Sequence, residues 1–319
     1  MDISEKRRPQ DGAFTAKTAE RPFSFRVASA GVMHGEKMSI RVLNYNAAKN
    51  TLDDLGFSDK QISVIREYLK KPSGMILLCG PTGCGKTTTL YAMLNEIDLF
   101  SRNVITVEDP IECVLPNASQ IEVNPKADIT FAKSLRSILR QDPDVICVGE
   151  IRDEETASIA LRASQTGHLV LATIHSYSNI SALMRLMDLK VSPLLIASGL
   201  SLLVSQRLVR KLCDNCRQPA ILSEEKIESL KKKGIDYSGI SAPIGCDYCN
   251  KTGFKGRIAI ADITIFDDEL KVAITNNQLL NDQNRAQGDQ KGINNLRKDG
   301  FRKVLAGITS MDELQRVIG

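Results

Sequence analysis

The chain contains no tryptophan, and aromatic residues make up only 5% of its 319 positions. Base-stacking platforms for single-stranded nucleic acid need successive aromatic rings, so this scarcity argues against one. An excess of charge is missing too: 42 basic residues stand against 38 acidic ones, a net +4. That balance is too weak for a surface that neutralises nucleic-acid phosphates directly. Long apolar runs are also absent. The longest, Leu194 to Val204, is interrupted by Ser198, Gly199 and Ser201 and is too short for a transmembrane helix. It reads as a buried helix. No secretory-type apolar stretch follows Met1, so the 8 cysteines read as thiols or metal ligands in a reducing compartment rather than as disulfides. What remains is an ordinary globular composition, 42% apolar and 25% charged, with length enough for two modest domains.

Within it, Gly80-Pro81-Thr82-Gly83-Cys84-Gly85-Lys86-Thr87-Thr88 fits G-x-x-x-x-G-K-[ST], the phosphate-cradling P-loop. The apolar run Met75 to Cys79 before it reads as a buried strand, and Thr88 to Leu99 after it as a helix. In that context glycines let backbone N–H groups approach phosphate oxygens, and the helix N-terminus adds unpaired donors. Lys86 would reach the β- and γ-phosphates of ATP, and Thr87 would ligate Mg²⁺. Cys84, close to a helix N-terminus, is expected to favour its thiolate.

Strands and helices alternate over residues 74–209. Val104 to Val107, Val145 to Val148 and Leu169 to Ile174 read as buried strands; residues 131–141 and 153–165 read as helices. This predicts a mostly parallel sheet with helices on both faces and ligands beyond the carboxyl ends of its strands. Two acidic groups follow such strands. Glu108-Asp109-Pro110-Ile111-Glu112 follows the first, and Gly149-Glu150 the second. A carboxylate there can hold Mg²⁺ through water or orient an attacking water. Of the 3 histidines, His168 and His175 flank the strand Leu169 to Ile174. His175 lies at its carboxyl end and is the better placed of the two for the γ-phosphate. His34 falls in a turn.

Ahead of this region, Phe23, Phe25 and Val27, and again Met38, Ile40 and Val42, alternate with polar residues as strands do, with His34-Gly35-Glu36-Lys37 as a hairpin connection. Asn44 to Lys49 reads as linker, and residues 59–69 as a helix capped by Ser58. Beyond it, Cys213-Asp214-Asn215-Cys216 and Cys246-Asp247-Tyr248-Cys249 form two CxxC knuckles 29 residues apart. Four thiolates in two knuckles suit a tetrahedral Zn²⁺ that holds together a subdomain without a core of its own. A redox CxxC pair is the rival reading. A short helix over residues 223–233 sits between the knuckles. The last fifty or so residues read as helical and polar, with a capping box at Ser310-Met311-Asp312-Glu313.

Together and in order, these motifs resemble the ATPases of type II secretion and type IV pilus assembly. The resemblance covers nearly the whole chain. It includes the P-loop with Thr87-Thr88-Thr89-Leu90-Tyr91 and the "Asp box" at Ile105-Thr106-Val107-Glu108-Asp109-Pro110-Ile111-Glu112. It extends through Glu150-Ile151-Arg152-Asp153, the "His box" from Thr166-Gly167-His168 to His175, Gln206-Arg207-Leu208 before the cysteines, and Thr252-Gly253-Phe254-Lys255-Gly256-Arg257 after them. It implies an α/β fold: a RecA-like P-loop core at 59–209, a partial N-terminal β-rich segment at 1–46 and a linker at 47–58. A tetracysteine subdomain at 210–258 and a C-terminal helical region at 259–319 complete it.

The resemblance also implies a cytoplasmic homohexameric Mg²⁺-dependent ATPase, peripheral on the inner membrane through a platform protein and a recruitment protein, with no direct contact to nucleic acid. By similarity Glu112 would polarise the attacking water and Glu150 would act at the Mg²⁺ site. Arg26 and Arg41 would be N-terminal arginines offered to the nucleotide, and Arg136 and Arg140 core arginines. Cysteine knuckles favour assembly or secretion, because retraction-type members lack them. Two departures stand out. The family's second N-terminal domain is matched only from just before Arg8-Pro9-Gln10, which would leave strand edges and a sheet face uncovered. Ala259-Ile260-Ala261-Asp262 differs from the usual Gly-Ile-Tyr-Glu-like run. A weak or silent nucleotide-binding subunit, and the motor of a pilus-like DNA-uptake system, are the alternative functions.

Overall fold

A computed structural model describes residues 1–17, 22–43, 50–276 and 295–319. Three antiparallel strands open the chain: β1 (Gln10–Lys17), β2 (Pro22–Val32) and β3 (Gly35–Leu43), in the order β1-β2-β3. Val32 pairs with Gly35, so the hairpin turns at Met33-His34. Alternation gives this sheet two unlike faces. Phe14, Phe25 and Val42 lie in register across it, with Ile40 and Met38 beyond on the same side. Phe14, Met38, Ile40 and Val42 are all more than half exposed. The other face carries Arg26 and Arg41, which are direct cross-strand partners. The expected linker at Asn44 to Lys49 lies outside the described residues.

Helix α1 (Asp59–Leu69) begins where expected. Ser58 accepts from the Gln61 N–H, and the Gln61 side chain accepts from the Ser58 N–H at 2.8 Å. There follow β4 (Gly74–Cys79), α2 (Lys86–Asn95), β5 (Val104–Glu108), β6 (Ser119–Glu122), α3 (Phe131–Ile138), β7 (Val145–Val148), α4 (Glu154–Gln165) and β8 (Leu169–Ile174). Then come α5 (Asn179–Asp188), α6 (Pro193–Gly199) and β9 (Leu200–Leu212). The seven-stranded sheet runs β12-β9-β4-β8-β7-β5-β6, with β12 (Phe254–Ile265) the one antiparallel member. Its strands bury both faces. On β4, Met75, Leu77 and Cys79 face a core shared with α3, α4, α5 and α6, while Ile76 and Leu78 face one shared with α1 and α2. Each such Leu or Ile contributes about 1.5–3 kcal/mol by leaving water, so the two layers hold the sheet rigid beneath the P-loop.

Two expectations are corrected. The run Leu194 to Val204 is not one buried helix: α6 ends at Gly199 and β9 starts at Leu200. A strand buried on both faces reads as a continuous apolar run, which periodicity cannot tell from a buried helix. The region 259–319 is not wholly helical either. Residues 259–265 belong to β12, which pairs with β9 from Arg257↔Arg210 to Ile265↔Leu202. The expected boundaries at 209/210 and 258/259 therefore cut across two paired strands.

Between β9 and β12 lie the two-residue strands β10 (Gln218–Pro219) and β11 (Ser241–Ala242) and helix α7 (Glu224–Lys232). After β12 come α8 (Asp268–Thr275), α9 at 295–305 and α10 (Met311–Ile318). A third core, with Val209, Ile240, Ile260, Leu296, Val304 and Leu314, joins α9 and α10 to the strand pair, while Ile274 of α8 packs in the first core. Ser310 caps α10 by accepting from the Glu313 N–H. The Glu313 carboxylate turns to Arg210 and Arg316 instead of closing a capping box. Among the described residues no helix is long and apolar enough to cross a membrane.

Candidate functional site

The P-loop bridges β4 and α2. Gly83 and Gly85 adopt φ of 77° and 91°, a region that favours glycine. A Cβ on Gly80 would lie 2.3 Å from Cys84 Sγ and 2.7 Å from the Gln206 carbonyl, so no side chain fits there. Gln206, on β9, props the loop: it donates to the Cys84 carbonyl at 2.8 Å and accepts from Thr89 Oγ1 at 2.8 Å. Helix α2 starts at Lys86, two residues earlier than expected, which aims its first free N–H groups into the loop. Lys86 is buried and its Nζ donates to the Gly80 and Pro81 carbonyls at 2.9 and 3.2 Å. Burial pushes its pKa down, with Cys84 and Glu150 opposing. The expectation for Cys84 is corrected: burial raises its thiol, and the neighbouring Lys86 only partly offsets this.

Lys86 Nζ also lies 3.3 Å from His175 Nδ1, and His175 Nε2 lies 3.1 Å from Glu150 Oε1. One tautomer satisfies both contacts: Nε2–H donates to the carboxylate while Nδ1 accepts from the ammonium. The structure thus brings together the P-loop lysine, the acid after β7 and the histidine after β8. Thr87, Glu112, Glu150, His175 and Arg41 share a cleft of about 390 Å³ with Lys86. Glu112 Oε1 lies 3.7 Å from Arg26 Nη2, a buried nitrogen without a hydrogen-bond partner. Arg41, the cross-strand partner of Arg26, lines the cleft together with Lys86 and offers a second cation to an anionic ligand there. A larger cavity of about 600 Å³ lies on the other side of the P-loop, against Tyr177, Arg207 and α10; among the described residues no carboxylate lines it.

Other candidates lie elsewhere. Arg136 pairs with Glu155, Arg140 donates to the Arg136 carbonyl at 2.8 Å, and neither lines the cleft. His168 sits before the first residue of β8, with Nδ1 3.1 Å from the Ala163 carbonyl, at the opposite end of the strand from His175. Glu108 is buried and accepts from Tyr91 and Thr106 at 2.6 Å each, so it ties α2 to β5. Sequence reasoning missed the roles of Gln206 and Arg152. The first is visible only once β9 is placed beside β4; the second carries a local signal, a guanidinium two residues from Glu150.

Cys213, Cys216, Cys246 and Cys249 bring their sulfurs within 4.8 Å of one another. The contacts Cys213–Cys246, Cys216–Cys249 and Cys246–Cys249 span 3.9, 3.8 and 3.7 Å. Tetrahedral Zn²⁺ with Zn–S of about 2.3 Å requires S···S of about 3.8 Å, so the cluster fits that ion. The Gly245 N–H donates to Cys216 Sγ at 3.3 Å, and the Cys246 and Gly253 N–H groups to Cys249 Sγ at 3.2 Å each. Burial alone would raise the Cys249 thiol; the Cys246 and Gly253 N–H groups, with the Cys246 and Cys216 thiols beside it, reverse the effect and hold it near 6. For Mg²⁺, the Thr87 hydroxyl and the Glu150 carboxylate in one cleft are the hard oxygen donors that ion takes.

The family model described as type II/IV secretion system protein matches residues 1–316. Type II secretion system protein E of Dickeya dadantii (strain 3937) is 42% identical over 323 residues, 99% of this chain and 63% of that protein. Type IV pilus assembly ATPase PilB of Acinetobacter baylyi (strain ATCC 33305 / BD413 / ADP1) is 42% identical over 323 residues, 99% of this chain and 55% of its own length. Among solved structures, the pilus retraction motor PilT with bound ADP superposes with a TM-score of 0.69 at 26% identity, covering 97% of this chain and 77% of that one. The chain spans 63% of the length of the type II secretion relative.

Proposed function

We propose that this chain, which belongs to the type II/IV secretion system protein family, hydrolyses ATP to drive a secretion or pilus-assembly machine. The observation that carries this reading is the convergence of Lys86, His175 and Glu150, from three separate elements, on the P-loop cleft. ATP would enter with its phosphates against the α2 N-terminus, and Lys86 would leave the Gly80 and Pro81 carbonyls for the β- and γ-oxygens. That exchange frees His175 Nδ1 from the ammonium; on taking up a proton there from water, the ring would donate to the γ-phosphate while Nε2–H stays on Glu150. Glu112 would orient the attacking water and accept its proton. Arg26 and Arg41 would face the charge that develops on the transferring group. Thr87 and Glu150 would hold Mg²⁺, which supplies neutralisation of the β,γ-phosphates when bound. Zinc on the four cysteines would give the module between β9 and β12 its fold.

The finer reading is a homohexamer in the cytoplasm, docked on an inner-membrane platform protein with the help of a recruitment protein. Assembly or secretion is preferred to retraction because of the cysteine module. The test is ATP turnover by the purified chain as a function of its own concentration, with Glu150→Gln as the blank. Turnover per chain that rises with concentration and vanishes in the variant supports subunits acting together. Turnover equal to the variant at every concentration sinks the motor reading and leaves a nucleotide-binding subunit.

A further inference from the structure

Two carboxylates of the cleft, Asp109 and Glu150, are held by a residue that does not line it. Arg152 lies two residues beyond Glu150, in the turn between β7 and α4. Its Nε and Nη2 are each 2.9 Å from Glu150 Oε2, and its Nη1 is 2.8 Å from Asp109 Oδ2. Asp109 and Glu150 line the cleft; Arg152 does not. One guanidinium therefore joins acids that follow or end two adjacent parallel strands, β5 and β7.

Two carboxylates at neighbouring strand ends repel one another and would repel a polyphosphate more strongly. A planar guanidinium with five donors can span two acceptors at once, which an ammonium cannot. Arg152 occupies one oxygen of Glu150, and His175 takes the other at 3.1 Å. With both oxygens engaged, Glu150 keeps one orientation. His175, fixed by it, keeps Nδ1 toward Lys86. The contacts run unbroken from Asp109 through Arg152, Glu150 and His175 to Lys86. The Arg152 side chain is about half exposed, and exposed ion pairs add little to folding. Its value therefore falls on geometry.

We propose that Arg152 is a positioning residue that fixes the orientation of Glu150 and neutralises Asp109 without touching the nucleotide. This rests on the reading of the cleft as an ATP site. The test compares the purified chain with Arg152→Ala and Arg152→Lys by steady-state ATP hydrolysis, binding of a fluorescent ADP analogue, and melting temperature. In Arg152→Ala, kcat is expected to fall about 10- to 100-fold, the range for losing a partner that orients a site group. Melting temperature should stay close to that of the parent, while KM and the Kd for the ADP analogue should rise only about two- to fivefold as Asp109 loses its neutralising partner. Millimolar guanidinium should restore part of the rate to Arg152→Ala and none to Glu150→Gln, and Arg152→Lys should be intermediate. A kcat within twofold of the parent, or a loss that neither guanidinium nor lysine relieves, would overturn the proposal. A parent chain that neither binds nor hydrolyses ATP would overturn the reading of the cleft, and the role of Arg152 with it.

Discussion

Replacing Glu313 with glutamine should loosen the C-terminal helix α10 from strand β9, and the size of the effect follows from the geometry. The Glu313 carboxylate has no exposed surface, yet it lies shallow, behind two half-exposed guanidiniums. It accepts from the Arg210 N–H at 2.9 Å, from Arg210 Nε and Nη2 at 2.9 and 2.7 Å, and from Arg316 Nε and Nη2 at 2.8 and 2.7 Å. Burial alone would raise its pKa; the guanidiniums of Arg316 and Arg210 and the Arg210 N–H hold it down, from 4.5 to about 2. That drop corresponds to about 3 kcal/mol of folding free energy. Solvent screens the two arginines, so about 2 kcal/mol is the expected loss in Glu313→Gln at pH 7. The folded pKa is the lower one, so the stabilisation is complete above about pH 4.5 and fades as pH falls toward 2. Urea midpoints of parent and variant, measured from pH 7 down to pH 3, should show a gap that narrows below pH 4.5. A gap that is absent at pH 7, or constant over that range, would refute the argument.

Three further outcomes are expected. Lys86→Ala should cut ATP turnover at least about 100-fold, because the ammonium is the cation that meets the transferring phosphates; turnover within tenfold of the parent would move the chemistry elsewhere. Burial raises the Asp262 carboxyl to about 6, against the pull of Asn295 and the Ile263 N–H. Its folded pKa is the higher one, so stability should decline by up to about 3 kcal/mol as pH rises from 4 through 6, and Asp262→Asn should flatten that part of a urea-midpoint profile. Purified chain should carry one zinc per molecule by elemental analysis, Cys246→Ser should lose it, and chelation should expose residues 213–253 to protease; zinc retained by the variant would contradict the four-thiolate site.

Features that depend on a few residues in fixed order were legible before any fold was known. The P-loop, the two cysteine knuckles and the Ser58 cap depend on local backbone needs that sequence states directly. The position of His175 beside the P-loop was legible because it follows a strand whose direction the alternation of elements sets. What was not legible depends on neighbours far along the chain. Leu200 to Val204 become strand because β4 and β12 flank them, and Ala259 to Ile265 because β9 offers a ladder. Cys84 sits at a helix start, yet burial decides its thiol. The closeness of Arg152 to Glu150 is local, but its contact with Asp109 is visible only once β5 and β7 stand side by side.

Strand β9 is also a beam. Its 13 residues run without a break from beside the P-loop strand to Leu212, and the first zinc-type cysteine follows directly. Gln206, partway along, grips the P-loop at Cys84 and Thr89. From Gln206 to Leu212 the strand covers about 20 Å at about 3.3 Å per residue. It pairs with β12 from Gln206↔Ala261 to Arg210↔Arg257, and after a register shift again at Leu212↔Phe254, so the ladder that supports Gln206 reaches the residue before Cys213. The P-loop cleft and the cysteine module therefore hang on two points of one continuous strand. A metal on the four cysteines would pin Cys213, and with it the far end of that strand.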